Sequence, residues 1–311
     1  MLQLRDVDKP VPADDQVLVR VHAASTNGGD PVVVRGQPYV IRLMGFGLLK
    51  PKNKIPGDDV AGRVEVVGKN VEQFQPGDEV FGGGLVLGAF AEYVCVAQDR
   101  LALKPPNITF EQAAAVPHSA VSALQGLRDQ GQLQPGQKAL INGASGGVGT
   151  FAVQIAKSLG AEVTAVCSTR NVDTARSLGA DHVIDYTRED FTRTGERYDL
   201  MLDIAAKRSL SDCRRALTAR GTYVLIGGGR GRWVGGLARY FTTSALSPFV
   251  SQRMRAFFAT ASQEDLVYVK NLLEAGKVTP IIDRTYPLSQ TSQAISYVEE
   301  GHAQGKVVIT V

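Results

Sequence analysis

Residues 138–157, KALINGASGGVGTFAVQIAK, hold the pattern in this chain best suited to chemistry. An apolar run leads into a turn of small residues. A helical periodicity of apolar residues then begins inside that turn: Phe151, Val153, Ile155, Ala156 and Leu159. Ala144, Gly146 and Gly149 stand at the spacing of the dinucleotide fingerprint G-x-G-x-x-G, with Ala in place of the first Gly. Main chain this unencumbered can approach a pyrophosphate closely, and the free N–H groups and dipole of the following helix favour negative charge. Ser145, Gly146, Gly147 and Val148 are the expected phosphate turn. Alone, a glycine-rich run is only a tight turn; the strand before it and the helix after it supply the context a phosphate site requires.

The next stretch bears on which cofactor. Gly160 closes the helix, and a second β-type run covers residues 162–167. In NAD sites an acidic residue about 20 positions past the fingerprint holds the ribose 2′-hydroxyl. Here the chain reads Cys167, Ser168, Thr169, Arg170, Asn171. No carboxylate stands there to repel a 2′-phosphate, while hydroxyls and a guanidinium are present to bind one. NADPH is the expected cofactor, with Ser168 and Arg170 on its 2′-phosphate side. The other reading of Arg170 is a solvated residue at a helix start.

These residues need elements to position them. From Lys138 onward strand-like and helix-like runs alternate: KALIN, helix, EVTAVC, helix, HVIDY, YDLMLDI, helix, TYVLIGG. That order predicts an α/β fold with a doubly wound parallel sheet. Helical segments are expected near 233–246 and 263–275, the second ended by Gly276. Residues up to about 112 read differently. Short β-type runs (QVLVRVHAAS, AGRVEVVG, DEVFGG, FAEYVCVA) are broken by Pro56-Gly57 and Pro76-Gly77, as in a compact antiparallel, barrel-like unit. Thr109 and Gln112 have capping-box spacing and open a helix. The last stretch, VTPIIDRTYPL, a helix near 291–300 and KVVITV, returns to β character. The expected domains are therefore 1–112 with 279–311, and 113–278.

Composition narrows the classes of function. At 311 residues the chain is long enough for two domains, and 44% hydrophobic with 21% charged residues is ordinary for a globular protein. A net charge of +3 offers no basic stripe, so neither a nucleic-acid nor a membrane partner is expected. No apolar run reaches spanning length, and MLQLRDVDKP is no signal peptide. Three scattered cysteines, Cys95, Cys167 and Cys213, suit a reducing, cytoplasmic setting rather than a disulfide framework.

Several separate motifs now combine. GDEVFG (77–82), GASGGVG (143–149), LGADHVIDY (178–186) and the terminal GKVVITV stand in an order that resembles the medium-chain dehydrogenase/reductase superfamily. Within it the chain is similar to the zinc-independent quinone oxidoreductases, the zeta-crystallin branch. The runs GQPYVIRLMG, SLGADHVIDYTREDF and EEGHAQGKVVI are most similar to the reticulon-interacting quinone reductase subgroup. The resemblance implies a GroES-like β-barrel catalytic domain, split in sequence, beside a Rossmann domain, and a homodimer. It departs at the start, where relatives open with a strand of the type MKAIV and a turn before the counterpart of VLQLRDV; a barrel strand is expected to be absent here.

Zinc-dependent members of that superfamily carry an early Cys, a Gly-His-Glu motif and often a cluster of structural cysteines. In this chain the early loop is Ala24-Ser25-Thr26-Asn27 and the Gly-His-Glu position is Gly57-Asp58-Asp59. His22, His118, His182 and His302 lie far apart. No metal is expected. Without that Lewis acid, hydride must pass to an acceptor that spreads charge onto an oxygen, such as a quinone or an α,β-unsaturated carbonyl.

The resemblance also implies site residues. Asn27 matches an Asn beside the nicotinamide ribose and substrate. Ser122 matches a hydroxyl near the nicotinamide, with a plain helix-surface hydroxyl as the alternative. Tyr186 matches a tyrosine near the 2′-phosphate, or closes a strand as a buried ring. Ile226, Gly227 and Gly228 pass under the nicotinamide, Phe257 and Phe258 cover it or belong to the core, and His302 lies near it. Pro31 stands where relatives carry an aromatic residue, and Asp203-Ile204-Ala205 stands where they carry Asp-Asn-Val-Gly. The expected activity is NADPH-dependent reduction of a quinone or related conjugated carbonyl. The alternatives are a 2-alkenal or enone double-bond reductase, and an NADPH-binding protein with little turnover and a structural or interaction role.

Overall fold

Runs that are apolar at nearly every position can only be strands or helices covered on both sides, and this chain has both. A computed structural model describes residues 2–37, 39, 54–84, 88–227 and 237–311. In chain order the first elements are β1 (Gln16–Thr26), α1 (Asp30–Arg35), β2 (Asp59–Val67), β3 (Glu79–Gly83), β4 (Tyr93–Ala97) and β5 (Leu101–Leu103). Then come α2 (Phe110–Ala114), α3 (Pro117–Leu124), β6 (Lys138–Asn142), α4 (Gly147–Ser158), β7 (Glu162–Cys167), α5 (Val172–Ser177) and β8 (His182–Asp185). The rest are β9 (Tyr198–Asp203), α6 (Leu210–Arg215), β10 (Leu217–Ile226), α7 (Leu237–Leu246), β11 (Arg253–Phe257), α8 (Gln263–Glu274), β12 (Ile282–Pro287), α9 (Thr291–Glu300) and β13 (Lys306–Thr310). They divide into two compact units, Met1–Val121 with Thr260–Val311, and Ser122–Ala259.

The first unit is built on a sheet ordered β12-β13-β1-β2-β3-β5, with β4 also on β1. All its pairs are antiparallel except β12 with β13. β-Branched side chains fill its core (Val17, Val19, Val60, Val64, Val80, Val307, Ile309), as their stiff rotamers favour. The expected capping box forms: Thr109 accepts from Gln112 N–H, and Gln112 accepts from Thr109 N–H. Residues 2–13 carry no strand. The register matters for the site, because Ser25 lies opposite Asp59 on one side and Val308 on the other, with Thr26 opposite Val307. The residues just past these pairs, Asn27 and Lys306, are thereby brought together.

The second unit is a parallel sheet in the order β11-β10-β9-β6-β7-β8. Counted outward from β6, this is the doubly wound order, and it reverses between β6 and β9. The glycine turn after Asn142 therefore sits at the carboxyl edge of the switch point. Leu140, Ile141, Phe151, Ile155, Leu200, Met201, Leu202 and Tyr223 are fully buried. β11 falls between the two expected helices. Its alternation of Arg253, Met254, Arg255, Ala256 and Phe257 buries Met254 and Phe257 and exposes Arg253 and Arg255, as an edge strand requires. α7 is described from Leu237, inside the helix expected from 233.

Candidate active site

The glycine turn after β6 is shaped by what its residues lack. Gly146 is the N-cap of α4, extended at φ −82° and ψ 176°; no side chain caps this end, and the first turn has no acidic residue. The leading N–H groups of a 12-residue helix are thus left for an external anion. Gly143 and Ala144 N–H both donate to Val166 O, tying the turn to β7. Gly149 lets helix and turn pack: a Cβ there would stand 2.1 Å from Gly143 O. These features fit a dinucleotide pyrophosphate, and Ala144 to Gly149 are the residues that would hold it.

The end of β7, where a ribose site is expected, is bonded to β8. Thr169 donates to Asp185 Oδ2 at 2.5 Å across the β7–β8 edge, and Thr187 donates to Asp185 Oδ1 through both its N–H and its hydroxyl. Thr169's hydroxyl bond holds the Asp185 carboxyl below its usual range, with Thr187's bonds adding to it. The hydroxyl of Thr169 is therefore committed to a carboxylate, and that carboxylate lies beside the run that lacks one in sequence. Ser168 differs. Its Oγ accepts from Asn171 Nδ2 at 3.0 Å, which turns its own proton away from Asn171. Asn171 Oδ1 is buried with no hydrogen-bond partner among the described residues. Arg170 is exposed on the short turn Thr169–Asn171.

Tyr186, Ile226 and Phe257 also lie at strand ends of this sheet. Tyr186, 48% exposed, is no core residue, and Lys207 lies 5.7 Å from its ring centre. Ile226 ends β10 opposite Phe257 on β11, and both are buried. Gly227 follows at φ 75°, open to glycine, while Gly228 lies outside the described residues. Phe258 is 60% exposed and stacks on Tyr240 at 5.1 Å. Ser122 is buried in α3, so it is not a helix-surface hydroxyl. His302 belongs to the first unit and is exposed after Gly301, the C-cap of α9.

Asn27 is at the centre of a buried polar cluster in the first unit. It lies where β1, β2 and β13 end. Lys306 Nζ donates to Asn27 Oδ1 at 2.5 Å and pairs with Asp59 Oδ2 at 3.2 Å. Asp59 Oδ2 also accepts from Asn27 Nδ2 at 3.0 Å and Ser25 Oγ at 2.9 Å, while Oδ1 accepts from His118 N–H at 2.9 Å. Asp59 is 0% exposed and Lys306 2%, so each charge depends on the other. In sequence Asp58-Asp59 reads as a solvated or hydrogen-bonding turn or a metal-ligand pair, and Lys306 goes unmarked. The available signal was a lysine heading the otherwise apolar run VVI, a place that buries its neighbours.

Asp30 adjoins this cluster and accepts from Asn27 N–H at 2.7 Å. Burial, then the nearby Asp58 carboxylate, pushes its pKa well up. A folded-state pKa above the unfolded one means that the native protein holds the extra proton. The stability this confers is full below the unfolded carboxyl pKa and is lost as pH rises through the raised value. Asp30→Asn keeps an acceptor for Asn27 N–H and never ionises. In urea unfolding it is expected to gain on the wild type as pH rises from about 4 to about 8. An advantage independent of pH would show that Asp30 titrates normally.

A second buried carboxylate organises the other unit. Asp203 accepts from Tyr223 Oη (2.6 Å), Arg239 (3.0 Å), Asn142 Nδ2 (2.7 Å) and Ala206 N–H (2.9 Å). It thus ties β6, β9, β10 and α7 together at the switch point. Ala206, which makes this contact, has a positive φ of 52°.

Among the described residues no group of three or more His, Cys, Asp and Glu is arranged to hold a metal. His22 stacks on Phe110 at 4.3 Å, and His182 pairs with Glu162 at 3.1 Å. No helix among the described residues is long and apolar enough to cross a membrane.

The chain is similar to known proteins. The alcohol dehydrogenase GroES-like domain family matches residues 13–106, and the zinc-binding dehydrogenase family matches residues 178–309. The mitochondrial NAD(P)H oxidoreductase RTN4IP1 of Mus musculus is 36% identical over 96% of this chain and 82% of its own length. The chloroplastic NADPH-dependent alkenal/one oxidoreductase of Arabidopsis thaliana is 33% identical over 95% of this chain and 72% of its own. The quinone oxidoreductase structure from Coxiella burnetii superposes with a TM-score of 0.87 at 28% identity, covering 99% of this chain and 94% of that one. With this fold, this glycine turn and these relatives, the chain belongs to the quinone-oxidoreductase branch of the medium-chain dehydrogenase/reductase superfamily.

Proposed function

We propose that this protein is an NADPH-dependent reductase of quinones and conjugated enones that works without zinc. The observation that carries the reading is the uncapped, acid-free start of α4 at the switch point of the parallel sheet, with Ser168 and Arg170 at the neighbouring strand end. Relatives named for quinones, for NAD(P)H and for alkenals support the substrate class.

The nicotinamide cofactor, when bound, supplies the hydride. This chain's residues bind and orient. The turn 144–149 receives the pyrophosphate on the leading backbone N–H groups of α4, from Gly147 onward. Ser168, with its proton turned outward, and Arg170 read the 2′-phosphate, while Tyr186 and Lys207 flank it. Ile226 and Gly227, at the end of β10, lie under the nicotinamide with Phe257 beside them and Ser122 near it. Asn27 donates its amide N–H to the acceptor oxygen that gains charge, the oxyanion role that the lost metal leaves open.

Steady-state NADPH oxidation with a panel of quinones and enones, before and after prolonged chelation, tests the reading. Turnover of at least one class, unchanged by the chelator, is expected. Stoichiometric NADPH binding with no turnover on the whole panel would favour a binding protein instead. Arg170→Ala is expected to weaken NADPH by roughly ten- to a hundredfold, the loss of one charge-assisted contact, and to leave NADH nearly unchanged. Equal losses for both cofactors, measured by fluorescence titration, would remove Arg170 from the phosphate site.

A further inference from the structure

The two ends of a side-chain amide do opposite things, and which end faces a ligand decides what the residue can do. At Asn27 that choice is made by two buried charges. An ammonium only donates, so the atom of Asn27 that faces Lys306 Nζ must be the carbonyl oxygen. An ionised carboxylate only accepts, so the atom facing Asp59 Oδ2 must be the amide nitrogen. Turning the amide over would set N–H against ammonium and carbonyl against carboxylate. Both contacts would become repulsive where water cannot screen them, since Asn27 is itself 4% exposed. Nδ2 carries two protons and makes one bond among the described residues, to Asp59.

An ion pair this buried is poor evidence of stabilisation, because desolvation offsets most of the attraction. Its place is the informative feature. It occupies the ends of β1, β2 and β13, and both charges bear on one amide. We infer that Lys306 and Asp59 are positioning residues, which lock Asn27 with its remaining N–H presented as a donor to the substrate's acceptor oxygen. This rests on the role proposed above for Asn27. Asn27 on its own sits in either orientation; the charge pair removes the unproductive one. Ser25 and His118 N–H fill the other acceptor positions of Asp59, which keeps its carboxylate from rotating away.

The test compares Asn27→Ala, the charge-removing double variant Lys306→Met/Asp59→Asn, and the triple variant, by kcat, KM and NADPH Kd on the full chain. Asn27→Ala is expected to lower kcat by about a hundredfold, as for a lost oxyanion donor. The double variant, whose amide sits in both orientations, should lie between wild type and Asn27→Ala with a loss of at least about twofold, and the triple variant should match Asn27→Ala, because all act through one N–H. Losses that multiply would overturn the positioning role. Wild-type kcat in Asn27→Ala would instead overturn the reading of Asn27 itself. A loss that falls on NADPH Kd rather than kcat would overturn the assignment to the substrate oxygen. Asn27→Asp covers the case in which the double variant does not fold. It keeps an oxygen for Lys306 but sets a second carboxyl against Asp59 Oδ2, so any proton it carries is held there and none is left for the substrate; it should match Asn27→Ala in kcat. Wild-type turnover in Asn27→Asp would overturn the inference outright.

Discussion

Lys306→Met is expected to cost about 3–5 kcal/mol of folding stability, because it strands a carboxylate with no counter-charge. Asp59 would keep the hydroxyl of Ser25, the amide of Asn27 and the N–H of His118, but these are dipoles. Its full burial denies it water as a substitute. Methionine fills the volume of the lysine stem, so the loss reports the charge and not a cavity. Denaturant unfolding at neutral pH measures it. Lys306→Met/Asp59→Asn, which removes both charges, should recover most of the loss, since a neutral pair of similar shape carries no desolvation penalty. A single-variant loss below about 1 kcal/mol would place the pair among ordinary surface ion pairs and contradict its burial.

Two glycines in one turn are expected to fail in opposite ways. Gly149→Ala should cost about 3 kcal/mol or more, since its methyl would lie 2.1 Å from Gly143 O and 2.7 Å from Ala144 Cα, both backbone atoms that cannot turn aside. Gly146→Ala should fold normally. Its backbone is extended, and the nearest atom to a Cβ is 3.9 Å away. The added methyl nevertheless stands at the open start of α4, where the pyrophosphate has to come close. NADPH affinity should therefore fall at least about tenfold while the melting temperature stays put. Thermal unfolding without cofactor and an NADPH titration on the same samples separate the two effects. Normal NADPH binding by Gly146→Ala would show that this turn does not hold the phosphates.

Both glycines were legible in the sequence, but not the difference between them. Spacing marks both as members of a fingerprint. Only the packing shows that one lies against backbone and the other faces open space. The same divide runs through the molecule. The alternation of apolar strands with periodic helices from Lys138, the capping box at Thr109 and the helix ends at Gly160 and Gly276 are local signals. Each depends on a few neighbouring residues, so the sequence alone determined them, and with them the parallel sheet and its phosphate turn. β11 was not legible, because a five-residue edge strand alternating Arg with apolar residues looks like any exposed segment until its neighbour β10 is known.

Long-range contacts were the tertiary structure's to decide. The run Ser168-Thr169-Arg170 holds no acid, yet Asp185, 16 residues past Thr169, takes that hydroxyl because β8 lies beside β7. Asn27 and Lys306 are 279 residues apart and meet only because β13 pairs with β1. The family resemblance singled out Asn27 as a candidate site residue. Which of its two ends is offered, and so whether it donates or accepts, depends on buried charges from two other strands. Electrostatics acts through space and not along the chain, so no local pattern carries that information.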